Sequence, residues 1–126
     1  MANLTYTRIF ADESGTSHME ELSIALDRVD LAGSAPPIQV ATPIEVSAAR
    51  FSVMDPGLVA DWHPAPRVQY SLHLAGELEV ETGDGQVRRL GPGSIVLLED
   101  VSGQGHRTRV IGEQPVVGVF LQVPQR

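Results

Sequence analysis

Cysteine is absent from this sequence, which excludes a disulfide, a thiolate nucleophile and any metal centre with cysteine ligands. Runs of lysine or arginine are also absent, and the formal net charge is -7, so a surface that follows nucleic acid is not expected. No stretch reaches the roughly 18 apolar residues of a membrane helix, and the amino terminus lacks the apolar segment of a secretory signal. We therefore expect a cytoplasmic protein that binds neither nucleic acid nor a membrane.

Recognisable nucleotide-binding and nucleophile motifs are absent as well. The sequence contains no phosphate-binding glycine-rich loop ending in Lys-Ser or Lys-Thr, no dinucleotide fingerprint and no Gly-x-Ser-x-Gly elbow. We expect no nucleotide cofactor. A chain of 126 residues is long enough for one domain with a single core.

Short runs rich in valine, isoleucine, leucine and threonine recur between glycine or proline breaks, a pattern typical of an all-β sandwich or barrel. The clearest turn is Gly83-Asp84-Gly85, because Asp-Gly supplies the positive φ angles of a tight hairpin. Gly91-Pro92-Gly93 predicts a second turn. The predicted strands are residues 4–10, 20–26, 38–40, 44–53, 68–74, 77–82, 86–90, 95–98, 106–111 and 116–123.

The segment from Gly57 to Gly76 contains the most informative spacing. Five residues separate Gly57 from His63, Gln69 follows the histidine six positions later, and six more residues lead to Gly76. This spacing resembles the first motif of the cupin superfamily, which is glycine, five residues, His-x-His, three or four residues, glutamate, six residues and glycine. Ala65 stands in the place of the second histidine, and Gln69 stands in the place of the glutamate.

The second cupin motif has a partial counterpart around Gly91-Pro92-Gly93 and His106, where a Pro-Gly turn opens a strand and a histidine follows on its partner. The proline before that histidine and the asparagine after it are missing. The resemblance covers roughly residues 47–123 and implies an all-β, double-stranded β-helix (jelly-roll) cupin barrel. We expect one domain over 1–126, with 1–37 as an amino-terminal strand or arm extension and 44–123 as the barrel core.

Alternation along the strand after Pro66 places Gln69, Ser71 and His73 on one face and Tyr70, Leu72 and Leu74 on the other. In the cupin interpretation the Gln69 face lines the cavity of the barrel, and the opposite face packs against another sheet or a second subunit. An apolar outer face favours a homodimer. The alternative is that the polar face is simply exposed to solvent.

The resemblance implies that His63, Gln69 and His106 are the metal ligands if a metal is bound. Imidazole suits zinc, iron, manganese or nickel, but a glutamine amide brings no charge and binds less strongly than glutamate. The usual ligand set has lost one imidazole at Ala65, so tight binding needs help from His73 or a nearby carboxylate. The sequence is compatible with a metal-bound site and with a metal-free site. The two-histidine, one-carboxylate set that lets ferrous iron activate oxygen is absent from the motif positions.

Without a metal, His63 and His106 still allow general acid-base catalysis, since imidazole can exchange a proton near neutral pH. Arg67 could bind a carboxylate or stabilise an enolate, whereas alternation points Arg107 away from the face of His106. His18 lies outside both motifs and is expected at a turn or an edge strand. The predicted catalytic residues are His63, His106 and Arg67, and the predicted substrate-binding residues are Gln69, Ser71, His73 and Asp100.

These residues predict a small-molecule-binding protein that carries out proton transfer on an organic substrate, such as isomerisation, cyclisation, dehydration or elimination, with possible assistance from a metal. A second hypothesis is a non-catalytic ligand-binding or sensor protein, in which Ala65 and Gln69 mark lost catalysis. A third is a metal-dependent oxygenase with an unusual ligand set. The sequence does not identify the substrate.

Overall fold

The computed structural model describes residues 4–125, and these residues form strands and turns without a helix. The all-β prediction is confirmed. No helix in this part of the chain is therefore long and apolar enough to cross a bilayer. The strands are β1 (Leu4–Ala11), β2 (Ser17–Ile24), β3 (Asp27–Val29), β4 (Ile38–Val40), β5 (Ala48–Met54), β6 (Val59–His63), β7 (Gln69–Ala75), β8 (Glu77–Thr82), β9 (Val87–Leu90), β10 (Ile95–Leu98), β11 (His106–Ile111) and β12 (Val116–Gln122).

Two large sheets build the fold. The first has six strands in the order β2-β1-β10-β7-β12-β5, and the second has four in the order β6-β11-β8-β9. All their neighbouring strands run antiparallel except β1 and β10. Ile9 and Val96 of the larger sheet pack with Val80 and Leu90 of the smaller sheet in one buried cluster. This is the double-stranded β-helix, or jelly roll, that the motif resemblance predicts.

The amino-terminal strands belong to the larger sheet. β1 pairs with β10 on one side and with β2 on the other, and Ile9 and Met19 on these strands lie in the core. Residues 1–37 were expected to form an amino-terminal strand or arm extension beside a barrel core over 44–123. Residues 4–24 contain β1 and β2 of the larger sheet. The arm begins after β2 and contains β3 and β4, which pair only with each other.

Two strands were not predicted from the sequence. β3 lies in the arm, and β6 carries His63 at its carboxyl end. β6 contains alanine and aspartate, which are uncommon in strands, so its local composition gives a weak signal. Its pairing with β11 supplies the partner that its own residues do not reveal.

His18 lies on the edge strand β2, as expected, and it joins two turns. Its Nε2 is 2.7 Å from Oδ2 of Asp12, and its Nδ1 is 3.1 Å from Oδ2 of Asp84. Because ionised carboxylate oxygens only accept hydrogen bonds, both contacts require a proton on each ring nitrogen. The hydrogen bond to Asp12 accordingly raises the pKa of His18 above its ordinary 6.5. The imidazolium connects the β1–β2 turn to the β8–β9 turn.

This contact predicts a pH-dependent part of the free energy of unfolding. A histidine whose pKa is raised by folding stabilises the folded state fully below its unfolded pKa of about 6.5, and this contribution is lost as pH rises through the raised pKa. We expect the free energy of unfolding to fall more steeply above about pH 6.5 in the wild type than in His18→Asn. Urea denaturation across a pH series measures both curves. Parallel curves would show that His18 does not make this contribution.

Candidate functional site

A cavity of about 430 Å³ lies between the two large sheets. Its volume is in the range of ordinary small-molecule sites. Polar and charged side chains from both sheets contribute to the wall, and aliphatic side chains form most of the rest. The lining residues that matter below are Arg50, His63, Arg67, Gln69, Ser71, His73, His106, Phe120 and Gln122, together with Met54, Leu58, Leu78, Val80, Val96 and Leu98.

His63 and His106 face each other across neighbouring strands. They form a register pair between β6 and β11, and their ring centroids are 4.8 Å apart with planes at 55°. Both rings line the cavity. The structure therefore brings together two imidazoles that are far apart in the sequence.

Gly105 fixes this close approach. Its φ is +77°, a conformation that favours glycine, and an added Cβ would overlap the backbone carbonyl of His63. β11 can thus pass against the end of β6 immediately before His106. The close approach of the two backbones therefore holds His63 and His106 near each other, independently of the contact between their rings.

The ring of His106 is held by a buried carboxylate. Its Nδ1 is 2.6 Å from Oδ2 of Asp100, and Asp100 has no exposed surface while His106 is 6% exposed. Nδ1–H donates to the acceptor-only carboxylate, so Nε2 remains for a ligand in the cavity. Oδ1 of Asp100 is buried without a hydrogen-bond partner among the described residues.

The position of Asp100 changes its expected role. The sequence predicted that Asp100 binds substrate, but its carboxylate lies behind His106 and is not part of the cavity wall. Its backbone carbonyl accepts a hydrogen bond of 2.9 Å from the amide of buried Ala65. Asp100 therefore acts as a positioning residue for His106, and Ala65 fastens the loop that carries it.

His63 is oriented by a backbone group. Its Nδ1 lies 2.6 Å from the carbonyl oxygen of Asp61, which accepts a hydrogen bond from Nδ1–H. Nε2 of His63 is thereby left free of this contact. Because His63 is exposed while His106 is buried, His63 lies nearer the open side of the cavity.

The polar face of β7 lies inside the molecule. Gln69, Ser71 and His73 are all buried and line the cavity. Burial lowers the pKa of His73, which keeps the ring neutral at neutral pH, and its Nδ1 has no hydrogen-bond partner in the described chain. The alternation argued from the sequence therefore places these three side chains together.

Arg67 also lines the cavity, where its Nη1 donates a 3.0 Å hydrogen bond to Oε1 of Gln122. Arg107 is exposed and pairs with Asp61 outside the cavity. Sequence reasoning missed Arg50, Phe120 and Gln122, because no motif marks β5 or β12. Arg50 and Phe120 are register partners across these strands, so their shared face becomes evident only from the pairing.

The donors present fit a tightly held divalent metal poorly. Within residues 4–125, no three histidine, aspartate or glutamate side chains are grouped to hold an ion. The remaining motif donor is the neutral amide of Gln69, Ala65 has no donor, and the carboxylate of Asp100 is engaged by His106. His63, His106 and Gln69 would supply two imidazole nitrogens and one weak, neutral oxygen donor. Zinc and iron sites usually have more ligands or stronger ones.

Comparisons with known proteins give likenesses only among solved structures. No family model and no curated protein matches the sequence. Among solved structures, the chain is similar to the Schizosaccharomyces pombe Cnp3 cupin domain, with 14% sequence identity and a TM-score of 0.47, over 97% of this chain and 85% of that one. A likeness at this level says nothing about function.

Proposed function

We propose that the chain binds a small organic molecule in this cavity and that His106 exchanges a proton with it. The observation that supports this proposal is the hydrogen bond between His106 and Asp100, which fixes one ring nitrogen and leaves Nε2 for the ligand. Asp100 is fully buried, so the orientation of the ring is maintained away from solvent. A base held in one orientation is the arrangement that proton transfer requires.

The proposed step begins at a carbon beside a carbonyl group. Nε2 of His106 takes the proton, the electron pair of the C–H bond forms a carbon–carbon double bond, and the π pair of the carbonyl group moves to its oxygen, which gives an enolate. The amide of Gln69 and the hydroxyl of Ser71 can donate hydrogen bonds to such an oxygen. Return of the proton to another atom gives isomerisation, and departure of a neighbouring group gives elimination. The aliphatic wall limits competing hydrogen bonds from water.

Ligand binding without chemistry is the second candidate. The observation in its favour is the loss of both usual donors at Ala65 and Gln69, which leaves a cavity suited to binding. An oxygenase has less support, because it needs a tightly held redox metal and the available donors fit one poorly.

Deuterium exchange separates the first two candidates. The protein is incubated in heavy water with α-ketobutyrate or phenylpyruvate, and loss of the proton signal beside the carbonyl is followed by NMR, with and without a chelator. Chelator-resistant exchange above the buffer rate supports proton transfer. Binding of either probe without exchange supports the ligand-binding candidate and contradicts the catalytic one.

A further inference from the structure

We infer that the ligand is an organic carboxylate whose charged end is bound by Arg67 and Arg50. This inference deepens the proposed function and rests on the same cavity. It names the chemical class of the ligand, which neither motif specifies.

The cavity has the opposite charge from the protein. The chain carries a net charge of -7, yet the cavity wall contains two arginines and no aspartate or glutamate. Asp100 is not among the lining residues, and its carboxylate is hydrogen-bonded to His106. An acidic protein with a basic pocket would favour an anion inside that pocket.

The pairing of the arginines supports this assignment. All 9 basic residues of the sequence are arginines, and five of those described pair with a carboxylate. Arg50, Arg67 and Arg88 do not pair with a carboxylate among residues 4–125, and two of these three line the cavity. Gln122 holds Arg67 through one nitrogen, which leaves its other donors for a ligand. A guanidinium can bind a carboxylate through two parallel hydrogen bonds.

The rest of the wall indicates an apolar body for the acid. Arg50 is exposed and Arg67 is half-buried, so the basic end lies towards solvent, whereas Val80 and Val96 are 2% exposed. Phe120 adds an aromatic surface. We expect an acid with an aliphatic or aromatic body directed inward, past the nitrogen of His106.

Matched acids and amides test this inference. Binding of phenylpropionate, hexanoate and phenylpyruvate, each beside its neutral primary amide, is measured by NMR titration up to about 10 mM. We expect at least one acid to bind about tenfold or more tightly than its amide, a gap of about 1.4 kcal/mol. Arg67→Met should remove most of this preference, and Arg67→Lys should retain part of it. Arg88→Met is the matched control, because Arg88 donates to Thr7 outside the cavity.

Each outcome separates this inference from the proposed function. Equal binding of acids and amides, no measurable binding of any acid, or an unchanged preference in Arg67→Met would overturn the carboxylate inference. Exchange of a neutral ketone would still support proton transfer. An acid preference without exchange would retain the carboxylate inference and contradict catalysis.

Discussion

Replacing His106 with asparagine is expected to lower the rate of deuterium exchange by about 100- to 10,000-fold, the usual contribution of a general base. Asparagine can keep an N–H near the position of Nδ1 and so retain a donor to Asp100, but it has no counterpart of Nε2. The fold should therefore remain while the base is lost. The exchange rate of phenylpyruvate in heavy water, with folding checked by circular dichroism, measures the effect.

The same substitution at a distant histidine provides the control. His18 lies on β2 and does not line the cavity, so His18→Asn should exchange at the wild-type rate near neutral pH. If His106→Asn and His18→Asn exchanged equally fast, His106 would not be the base. His63 would then be the next imidazole to replace.

Replacing His106 with leucine is expected to have the largest effect on stability. Leucine fills much of the same volume but gives Asp100 no donor, and Oδ1 of that carboxylate already has no partner within residues 4–125. Removing one member of a buried pair typically costs about 3–5 kcal/mol. We expect a loss of this size in the free energy of unfolding, measured by urea denaturation at neutral pH.

A double-mutant cycle identifies the cause of that loss. Asp100→Leu together with His106→Leu removes the stranded carboxylate, so the double variant should be more stable than His106→Leu alone. His106→Asn should lose much less than His106→Leu. If the double variant lost the sum of the free energies that the two single variants lose, the contact between His106 and Asp100 would not be the origin of the effect.

The spacing and alternation of residues in the sequence predicted the fold and the grouping of the histidines in the cavity, and both have a physical basis. Spacing between glycines and histidines follows the lengths of strands and turns, which the jelly roll fixes, and strand alternation assigns Gln69, Ser71 and His73 to one face. The register pair between His63 and His106 agrees with that placement. Alternation is a local property, so it can be taken directly from the sequence.

Pairing between distant strands could not be taken from the sequence. The parallel contact of β1 with β10 brings Ile9 of β1 into the core, and no local pattern reports it. For the same reason the sequence did not predict Arg50 as a lining residue, because Arg50 becomes part of the cavity only through the pairing of β5 with β12. The role of Asp100 depends on its depth behind His106, which is a property of the packed loop.

A crystal structure with benzoylformate bound would test the central claim most directly. This α-keto acid has no carbon-bound proton beside its ketone, so it cannot be consumed by the proposed step. We predict its carboxylate on Arg67, its ring against the aliphatic wall, and its ketone within about 3 Å of Nε2 of His106 or the donors on β7. Benzoylformate held outside the cavity, or a ring of His106 turned so that Asp100 no longer contacts Nδ1, would contradict the account.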